Sequence, residues 1–375
     1  MIRRREALFF LFMVLPIIGH VVILPMLYDF AGRDAWISVL LAAPFGIVIA
    51  YMTWKFLNLE PGTTLKKLST DLWGPWIGFL FNLIWFAFFF FMGIVTLTSV
   101  MDMLQGGFYQ ETPMWFIGGS FMVFIAYCMT KGIRVIAWMA GILTLFIMIS
   151  GHSISLLLSP VRSWGQLLPI LEFGWNPVIS GAILLCANWS EMFVLAVLQF
   201  SKVETKGMLY LLLLGSFANT IMMLSVAAGT ITVFGWEQTD TLLYPVLSSV
   251  RMITLGFIDR FDVYGLMLMT FGSFIRQSLF LHAVIELLPF QKVVAKYRTI
   301  AIIAMGLALY FTSLFLFTNK LTYDEYLKNY VLVIFLWPLP LLYILKHWWS
   351  KRKQRTSKNP ASKGSTLPGS PQGSS

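Results

Sequence analysis

Apolar runs of about twenty residues recur along the whole chain and leave little sequence between them. A helix needs about 20 apolar residues to cross the hydrocarbon core of a bilayer, and 58% of the residues are hydrophobic while 12% are charged. Only helices and closed barrels satisfy the backbone in lipid, so the runs predict an all-α polytopic membrane protein. The predicted spans, numbered one to ten, are 7–28, 35–55, 76–102, 114–130, 133–158, 177–200, 207–234, 261–288, 299–318 and 327–346.

The distribution of positive charge predicts how these spans are oriented. Lys and Arg near the ends of spans are retained on the cytoplasmic side of a membrane. With the N-terminus inside, and leaving the C-terminal tail aside, thirteen of them fall in inner segments and six in outer segments. From Lys346 onward there are seven Lys or Arg and no acidic residue, so most of the net charge of +10 belongs to the tail. Both termini are therefore predicted to be cytoplasmic, and the charge indicates topology rather than nucleic-acid binding.

The predicted organisation is one transmembrane domain followed by a tail. Residues 1–346 form the domain, with a first repeat at about 7–158 and a second at about 177–346. Residues 347–375 are basic and rich in Pro, Gly and Ser, which predicts a disordered cytoplasmic tail. Five spans end on the side opposite to their start, so spans six to ten run in the reverse sense. This arrangement permits an inverted repeat.

The first span contains a proline and a glycine in its middle. In the stretch PIIGHVVILP, residues 16–25, Pro16 removes a helical hydrogen bond and Gly19 tolerates the dihedral angles of an unwound segment. In many inverted-repeat transporters the first helix of each half is interrupted where the substrate binds. The corresponding stretch of span six is CANWSEMF, residues 186–193. The alternative interpretation of span one is a proline kink packed against neighbouring helices.

Three ionisable residues are predicted to lie deep in the bilayer: His20 in span one, Glu191 in span six and Arg276 in span eight. His282 is predicted nearer the inner face. Such residues are costly in lipid and usually face a cavity or a partner. Two interpretations of Glu191 and Arg276 stay open, namely recognition of a solute and a structural ion pair.

The sequence contains no signature of an enzyme or a cofactor site. It has no Gly-rich phosphate loop, no HExxH zinc helix and no G-x-S-x-G elbow. Its two cysteines, Cys128 and Cys186, lie in apolar runs and are expected to behave as small hydrophobic residues. We therefore expect neither catalysis nor a cofactor nor a metal. The aromatic run FAFFFFMG, residues 86–93, is expected to face lipid on span three.

Four stretches, taken in order, resemble one family of membrane proteins. They are the LP at Leu24-Pro25, the D-x-W-I pattern at 34–37, LWGPWIGFLFNL at 72–83, and TLLYPVLSSVRMITLGFIDRFD at 241–262. The last stretch enters span eight through an aliphatic-acid-Arg-Phe-acid motif. Over roughly residues 7–346 the chain resembles the B subunits of the nutrient germinant receptors of bacterial endospores. These form the GerAB family, within the amino acid/polyamine/organocation transporter superfamily.

The resemblance implies a five-plus-five inverted repeat like that of the leucine transporter. It also implies a small nutrient ligand such as an amino acid, a complex with A and C subunits, and a location in the spore inner membrane. Two departures fall near the expected pocket. His20 and Val21 stand where the family usually has more glycine, and MLMTFGSFIRQ in span eight lacks a Trp that the family often carries. We therefore expect a ligand different from the small neutral amino acids typical of the family.

A binding mode consistent with this fold uses both interrupted helices. Backbone N–H groups at the span-one break would bind a ligand carboxylate, while polar side chains of span six would receive an ammonium group. Arg276 would either bind an anionic ligand or neutralise Glu191. The predicted ligand-binding residues are Gly19, His20, Val21, Asn188, Trp189, Ser190, Glu191 and Arg276. The predicted function is a germinant receptor subunit that recognises a nutrient at the midplane, with a free-standing amino acid permease as the alternative.

Overall fold

The computed structural model describes residues 1–253, 261–316 and 337–357. In these ranges the regular secondary structure is helical, apart from one isolated bridge between Ile2 and Phe200. The long elements are Arg4–Ile18, Leu24–Ala31, Ala35–Leu57, Leu65–Gly107, Met114–Thr130, Ile133–Leu157, Trp175–Ser190, Met208–Phe234, Asp262–Leu287, Arg298–Leu316 and Pro338–Ser357. Short helices are Gly32–Asp34, Ser159–Val161, Trp164–Leu167, Lys202–Lys206, Trp236–Thr241, Pro245–Arg251 and Gln291–Lys296.

Seven helices of the described residues are long and apolar enough to cross a membrane. The first of them, Arg4–Leu57, contains spans one and two, which separate at Gly32, where φ is 58°. Met114–Thr130 is a shorter apolar helix at the position of span four, and Pro338–Ser357 is the described part of span ten. The helices thus correspond to the predicted spans, except for residues 317–318 and 327–336, which lie outside the described ranges.

The last helix continues beyond the predicted end of span ten. It begins at Pro338 and ends at Ser357, so residues 347–357 of the predicted tail are helical. Residues 358–375 lie outside the described ranges, and the rest of the predicted tail falls there.

A bend at Gly74 separates span three from the helical segment that precedes it. Within Leu65–Gly107, Gly74 has a φ of 79° and a ψ of 175°, and Pro75 follows it. Glycine adopts this positive φ without a steric penalty, and Pro75 cannot donate a helical hydrogen bond. These two residues explain why span three starts close to the predicted residue 76.

The two halves of the chain pack against each other in matching pairs. Span two lies along span seven, span three along span eight, and span four along span nine. Spans one and six also meet, and both depart there from α-helical geometry. This pairing is the one expected for two repeats of opposite orientation.

The aromatic run of span three contributes to the interior of the protein. Phe88 is 5% exposed and Phe89 is fully buried. Phe89 stacks on Trp85, with ring centroids 5.7 Å apart, and lies 6.3 Å from Phe280 of span eight. The expectation that residues 86–93 face lipid is therefore wrong for the buried residues Phe88, Phe89, Met92 and Gly93. A continuous aromatic run carries no apolar periodicity that could show which face is buried.

Candidate functional site

Span one changes helix type at its centre. The α-helix Arg4–Ile18 runs into a π-helical turn, Gly19–Ile23, and continues as the α-helix Leu24–Ala31. The segment that was predicted to be unwound is therefore a widened helical turn. Pro16 lies one turn before it and has no N–H to donate, which weakens the α-helical pattern locally. Single π-helical turns of this kind occur frequently at functional sites.

Span six changes helix type within the predicted stretch. The α-helix Trp175–Ser190 becomes a 3₁₀-helix at Glu191–Val197, and the chain is extended at Leu198. Regular α-helix therefore ends within residues 186–193, as the sequence predicted. This junction places Glu191 at the first position of the tighter helix.

Arg276 and Glu191 form an ion pair in the protein interior. Both side chains are 0% exposed, and Arg276 Nη1 donates to Glu191 Oε2. The guanidinium also donates to Thr96 Oγ1 at 2.8 Å and to the carbonyl of Val14 at 2.7 Å. Its central carbon lies 4.7 Å from the centroid of the Phe280 ring, a favourable cation–π distance. The pair therefore joins spans one, three, six and eight.

The structural ion pair is thus present, and it meets the conditions under which buried charges are tolerated. Removing two charges from water is costly, and their attraction offsets that cost only when further hydrogen bonds complete the site. Arg276 has both the carboxylate and the extra acceptors. We call the following group, with no net charge, the midplane cluster after its predicted depth: Thr96, Asn188, Ser190, Glu191 and Arg276.

Asn188 connects span six to spans one and seven. Its Nδ2 donates to the carbonyl of Leu15 at 3.0 Å, and its Oδ1 accepts from Asn219 Nδ2 at 3.3 Å. A Cβ on Gly19 would lie 3.4 Å from the same Nδ2 and 2.4 Å from the Met223 sulfur. Gly19 therefore permits the close approach of three spans, and this packing role exists whether or not its backbone binds a ligand.

The remaining predicted residues of the two stretches pack within the protein. Trp189 is fully buried, and its Nε1 donates to Ser216 Oγ at 3.0 Å. Ser190 Oγ donates to the carbonyl of Cys186 at 2.9 Å. Val21 is partly buried against the main hydrophobic core. The polar side chains predicted on span six are thus hydrogen-bonded inside the protein.

His20 differs from the other predicted residues because it lines a cavity. Its Nδ1 bonds the carbonyl of Pro16 at 2.6 Å. A carbonyl only accepts, so Nδ1 carries the hydrogen and Nε2 is the acceptor of a neutral ring. The cavity has a volume of about 170 Å³ and lies between spans one, five, seven and eight and the short helix Pro245–Arg251. Its lining includes no residue of the midplane cluster.

His282 lies far from this cavity, at the opposite end of span eight. Its Nδ1 is 3.9 Å from Glu286 Oε1, and Arg298 Nη1 is 3.3 Å from the same oxygen. All three line another cavity, of about 350 Å³, together with Ile2 and Gln199. His282 is therefore not brought to the predicted ligand site.

The loop stretch 241–262, one of the four that carry the resemblance, contacts the end of span three and the start of span eight. Residues 254–260, which include most of its acid-Arg motif, lie outside the described ranges. Of the described part, Tyr244 Oη donates to Asp102 Oδ2 at 2.5 Å. Arg251 bonds Asp262 Oδ2 at 3.3 Å and the carbonyl of Gly107 at 2.9 Å. These contacts fix the loop to the end of span three.

The sequence comparisons agree on one family. A sequence model of a family described as "Spore germination protein" matches residues 2–323. Spore germination protein KB of Bacillus subtilis (strain 168) is 26% identical over 355 residues, which cover 89% of this chain and 92% of that protein. Spore germination protein XB of Bacillus anthracis is 27% identical, over 76% of this chain and 81% of that protein.

Solved structures identify the fold. The chain superimposes on Mhp1, a nucleobase-cation-symport-1 family transporter in a closed conformation with bromovinylhydantoin bound. The TM-score is 0.59 at 13% identity, over 93% of this chain and 78% of that chain. At this identity the similarity concerns the fold alone, and it confirms the leucine-transporter-like inverted repeat. Family and fold are those of an integral membrane permease or transporter rather than of an enzyme.

Proposed function

The chain belongs to the spore germination protein family, and from this premise we propose that it is the membrane subunit of a nutrient germinant receptor. In this proposal it recognises a small nutrient, an amino acid, at the midplane cluster and helps to trigger germination. Its partners are the A and C receptor subunits, and its location is the spore inner membrane. The ligand site combines the midplane cluster with the π-helical turn of span one.

The charge balance of the midplane cluster is the observation that supports an amino acid ligand. Glu191 and Arg276 bring one negative and one positive charge into a fully buried site. A zwitterion carries the same two charges. Its carboxylate can replace Glu191 on the guanidinium, and its ammonium group can bind the released Glu191 carboxylate. This exchange keeps the net charge at zero, whereas a singly charged ligand leaves a buried charge without compensation.

The position of the ion pair also provides a route from binding to signalling. Arg276 bonds span six through Glu191 and span one through the carbonyl of Val14, so it connects the two repeats. A ligand shifts a conformational equilibrium only if it binds one state better than the other. Replacing the pair by a ligand changes the contacts between the repeats and so meets this condition.

A double variant tests the proposed site. Glu191→Gln with Arg276→Met removes both charges together, so no buried charge is stranded. We expect near-normal membrane abundance and no germination response to amino acids in a dose series. The matched control is Glu172→Gln with Arg33→Met, which removes an ion pair of the same type, at 3.2 Å, from partly exposed side chains. A cluster double variant that responds at wild-type concentrations contradicts the proposal.

The alternative function is a free-standing amino acid permease of the same superfamily. Affinity purification from spore membranes separates the two functions. A receptor subunit co-purifies with the A and C subunits, whereas a permease purifies alone and drives uptake of radiolabelled amino acid into proteoliposomes. Uptake by the isolated chain, without co-purifying subunits, contradicts the receptor proposal.

We also infer that both termini are cytoplasmic, from the thirteen-to-six distribution of Lys and Arg. Single cysteines at Glu237→Cys and Lys351→Cys, in a chain whose two native cysteines are replaced, report the two sides. An impermeant maleimide added outside should label residue 237 and leave residue 351 unlabelled. Labelling of residue 351 from outside overturns the orientation.

A further inference from the structure

The cavity beside His20 continues toward the end of span five. It shares lining residues with a smaller cavity of about 60 Å³, among them Gly151, Ser155 and Ser225. Arg162 lines the far end of the smaller cavity. We call the two cavities together the span-five pocket. The His20 imidazole lines the larger cavity, and the Arg162 guanidinium lines the smaller one.

Arg162 brings a positive charge to the pocket and has no acidic partner among the described residues. Its Nη2 donates to Ser155 Oγ at 3.1 Å, while its Nε is buried and makes no hydrogen bond in the described ranges. Within those ranges no ion pair includes Arg162. Partial burial lowers the pKa of this guanidinium, which nevertheless stays protonated at neutral pH. A Cβ on Gly229 would lie 3.2 Å from Nη2, so glycine leaves the space that the guanidinium occupies.

The larger cavity is mostly apolar and is large enough for a ring. Among the described residues neither cavity is lined by Asp or Glu, and the polar side chains of the larger one are His20, His152, Ser155 and Ser225. His152, like His20, bonds its own helix through Nδ1, here to the carbonyl of Met148 at 2.7 Å. An engineered apolar cavity of about 150 Å³ in another protein binds benzene. The larger cavity, at about 170 Å³, therefore accommodates a body of that size.

We propose that the span-five pocket is a second small-molecule site, for an apolar monocarboxylate. The carboxylate pairs with Arg162, and a ring-sized body fills the cavity toward His20. This site goes beyond the proposed function, because it is separate from the midplane cluster. A zwitterionic amino acid suits it poorly, since none of the described residues that line the pocket is acidic and could receive an ammonium group.

Direct binding to the full chain in nanodiscs of neutral lipid tests the proposal without any germination assay. The probe is 3-phenylpropanoate, and titration calorimetry gives its Kd. Two compounds share its skeleton: phenylalanine adds an ammonium group, and 3-phenylpropan-1-ol lacks the charge. We expect the carboxylate to bind at least about tenfold more tightly than the alcohol, as a charge-assisted contact requires, and phenylalanine to displace it only at concentrations at least about tenfold higher. Equal binding of the alcohol overturns the proposal.

Two variants locate the probe in the pocket. Arg162→Gln should weaken 3-phenylpropanoate binding by about tenfold or more, whereas the matched control Arg33→Gln should leave it unchanged. Gly151→Leu should abolish binding, because Gly151 lines both cavities and a Cβ there meets no atom within 4 Å. If Arg162 only stabilises the end of span five, Arg162→Gln lowers the unfolding temperature and leaves binding unchanged, which overturns the proposal.

An anionic lipid headgroup presents the same chemistry from another source. Repeating the titration in nanodiscs that contain phosphatidylglycerol separates the two. We expect an unchanged Kd for 3-phenylpropanoate, because a pocket with room for a compact body should not admit the lipid as a competitor. Competition by the lipid, lost in Arg162→Gln, would identify the headgroup as the occupant and overturn the free carboxylate.

Discussion

The midplane cluster and the span-five pocket both contact span one, but the arginines of the two sites have different hydrogen-bond partners and different exposure. Arg276 is fully buried, and its guanidinium bonds a carboxylate, a hydroxyl and a carbonyl. Arg162 is partly exposed and bonds one hydroxyl, and its buried Nε has no hydrogen-bond partner in the part of the chain that the structure describes. The difference follows from the cost of charge in lipid, which falls steeply toward the membrane surface. A buried charge needs a permanent partner, whereas a charge near the surface can remain available for a ligand.

Separate removal of the two arginines should give the largest difference in the free energy of unfolding. Arg276→Met leaves Glu191 as an uncompensated buried charge, which costs about 3–5 kcal/mol. Arg162→Met removes a partly hydrated charge and should change the free energy of unfolding by less than about 1 kcal/mol. Equilibrium unfolding in detergent measures both. Similar losses for the two variants would show that the arginines do not differ as proposed.

Substitution of two glycines, Gly46 beside Trp189 and Gly151 in the span-five pocket, should change the free energy of unfolding differently through packing alone. A Cβ on Gly46 would lie 2.3 Å from Trp189 Nε1 and 2.5 Å from Ser216 Oγ, whereas a Cβ on Gly151 meets nothing within 4 Å. We expect Gly46→Ala to cost about 1–3 kcal/mol through overpacking. Gly151→Ala should be neutral or stabilise by up to about 1 kcal/mol, as expected for alanine in a helix. A neutral Gly46→Ala would mean that the region around Trp189 is loosely packed.

Two serines provide the smallest contrast, because each accepts one N–H at nearly the same distance. Ser216 accepts from Trp189 Nε1 at 3.0 Å and Ser155 from Arg162 Nη2 at 3.1 Å. Ser216→Ala leaves a buried donor unsatisfied and should cost about 1–2 kcal/mol. Ser155→Ala should cost less than about 0.5 kcal/mol, because water reaches the guanidinium. The same unfolding assay measures both variants. Equal losses of unfolding free energy would contradict the proposed difference in hydration between the Trp189 and Arg162 donors.

The sequence predicted the cluster better than the pocket, for a physical reason. A charged residue in the middle of an apolar run stands out in the sequence, so Glu191 and Arg276 are predictable as site residues without knowledge of their contact. Most of the pocket lining is small or apolar and comes from four spans and the short helix Pro245–Arg251, and such residues match the ordinary composition of a membrane helix. Arg162 is one of the six Lys and Arg predicted to lie in outer segments, and its position there indicated topology alone. The only predicted residue that lines the pocket is His20.

Helix boundaries were also more predictable than helix geometry. Run lengths located the spans because the bilayer fixes the length of a crossing helix. The form of the span-one break depends on how Gly19 packs against Met223 and Asn188, which are far away in sequence. The α-to-3₁₀ junction of span six contains neither glycine nor proline, so only the polarity of its residues indicated it.

The π-helical turn of span one allows two registers for the same chain. Such a turn holds one residue more than an α-helical turn, and each residue of an α-helix turns by about 100°. Conversion of Gly19–Ile23 to α-helix would therefore rotate one half of span one against the other by about 100°. Val14 and Leu15, whose carbonyls bond Arg276 and Asn188, lie in the first half, whereas Pro25 lies in the second half, which the loop to span two follows. A one-residue change of register would thus couple a rearrangement at the ion pair to a rotation of the second half of span one.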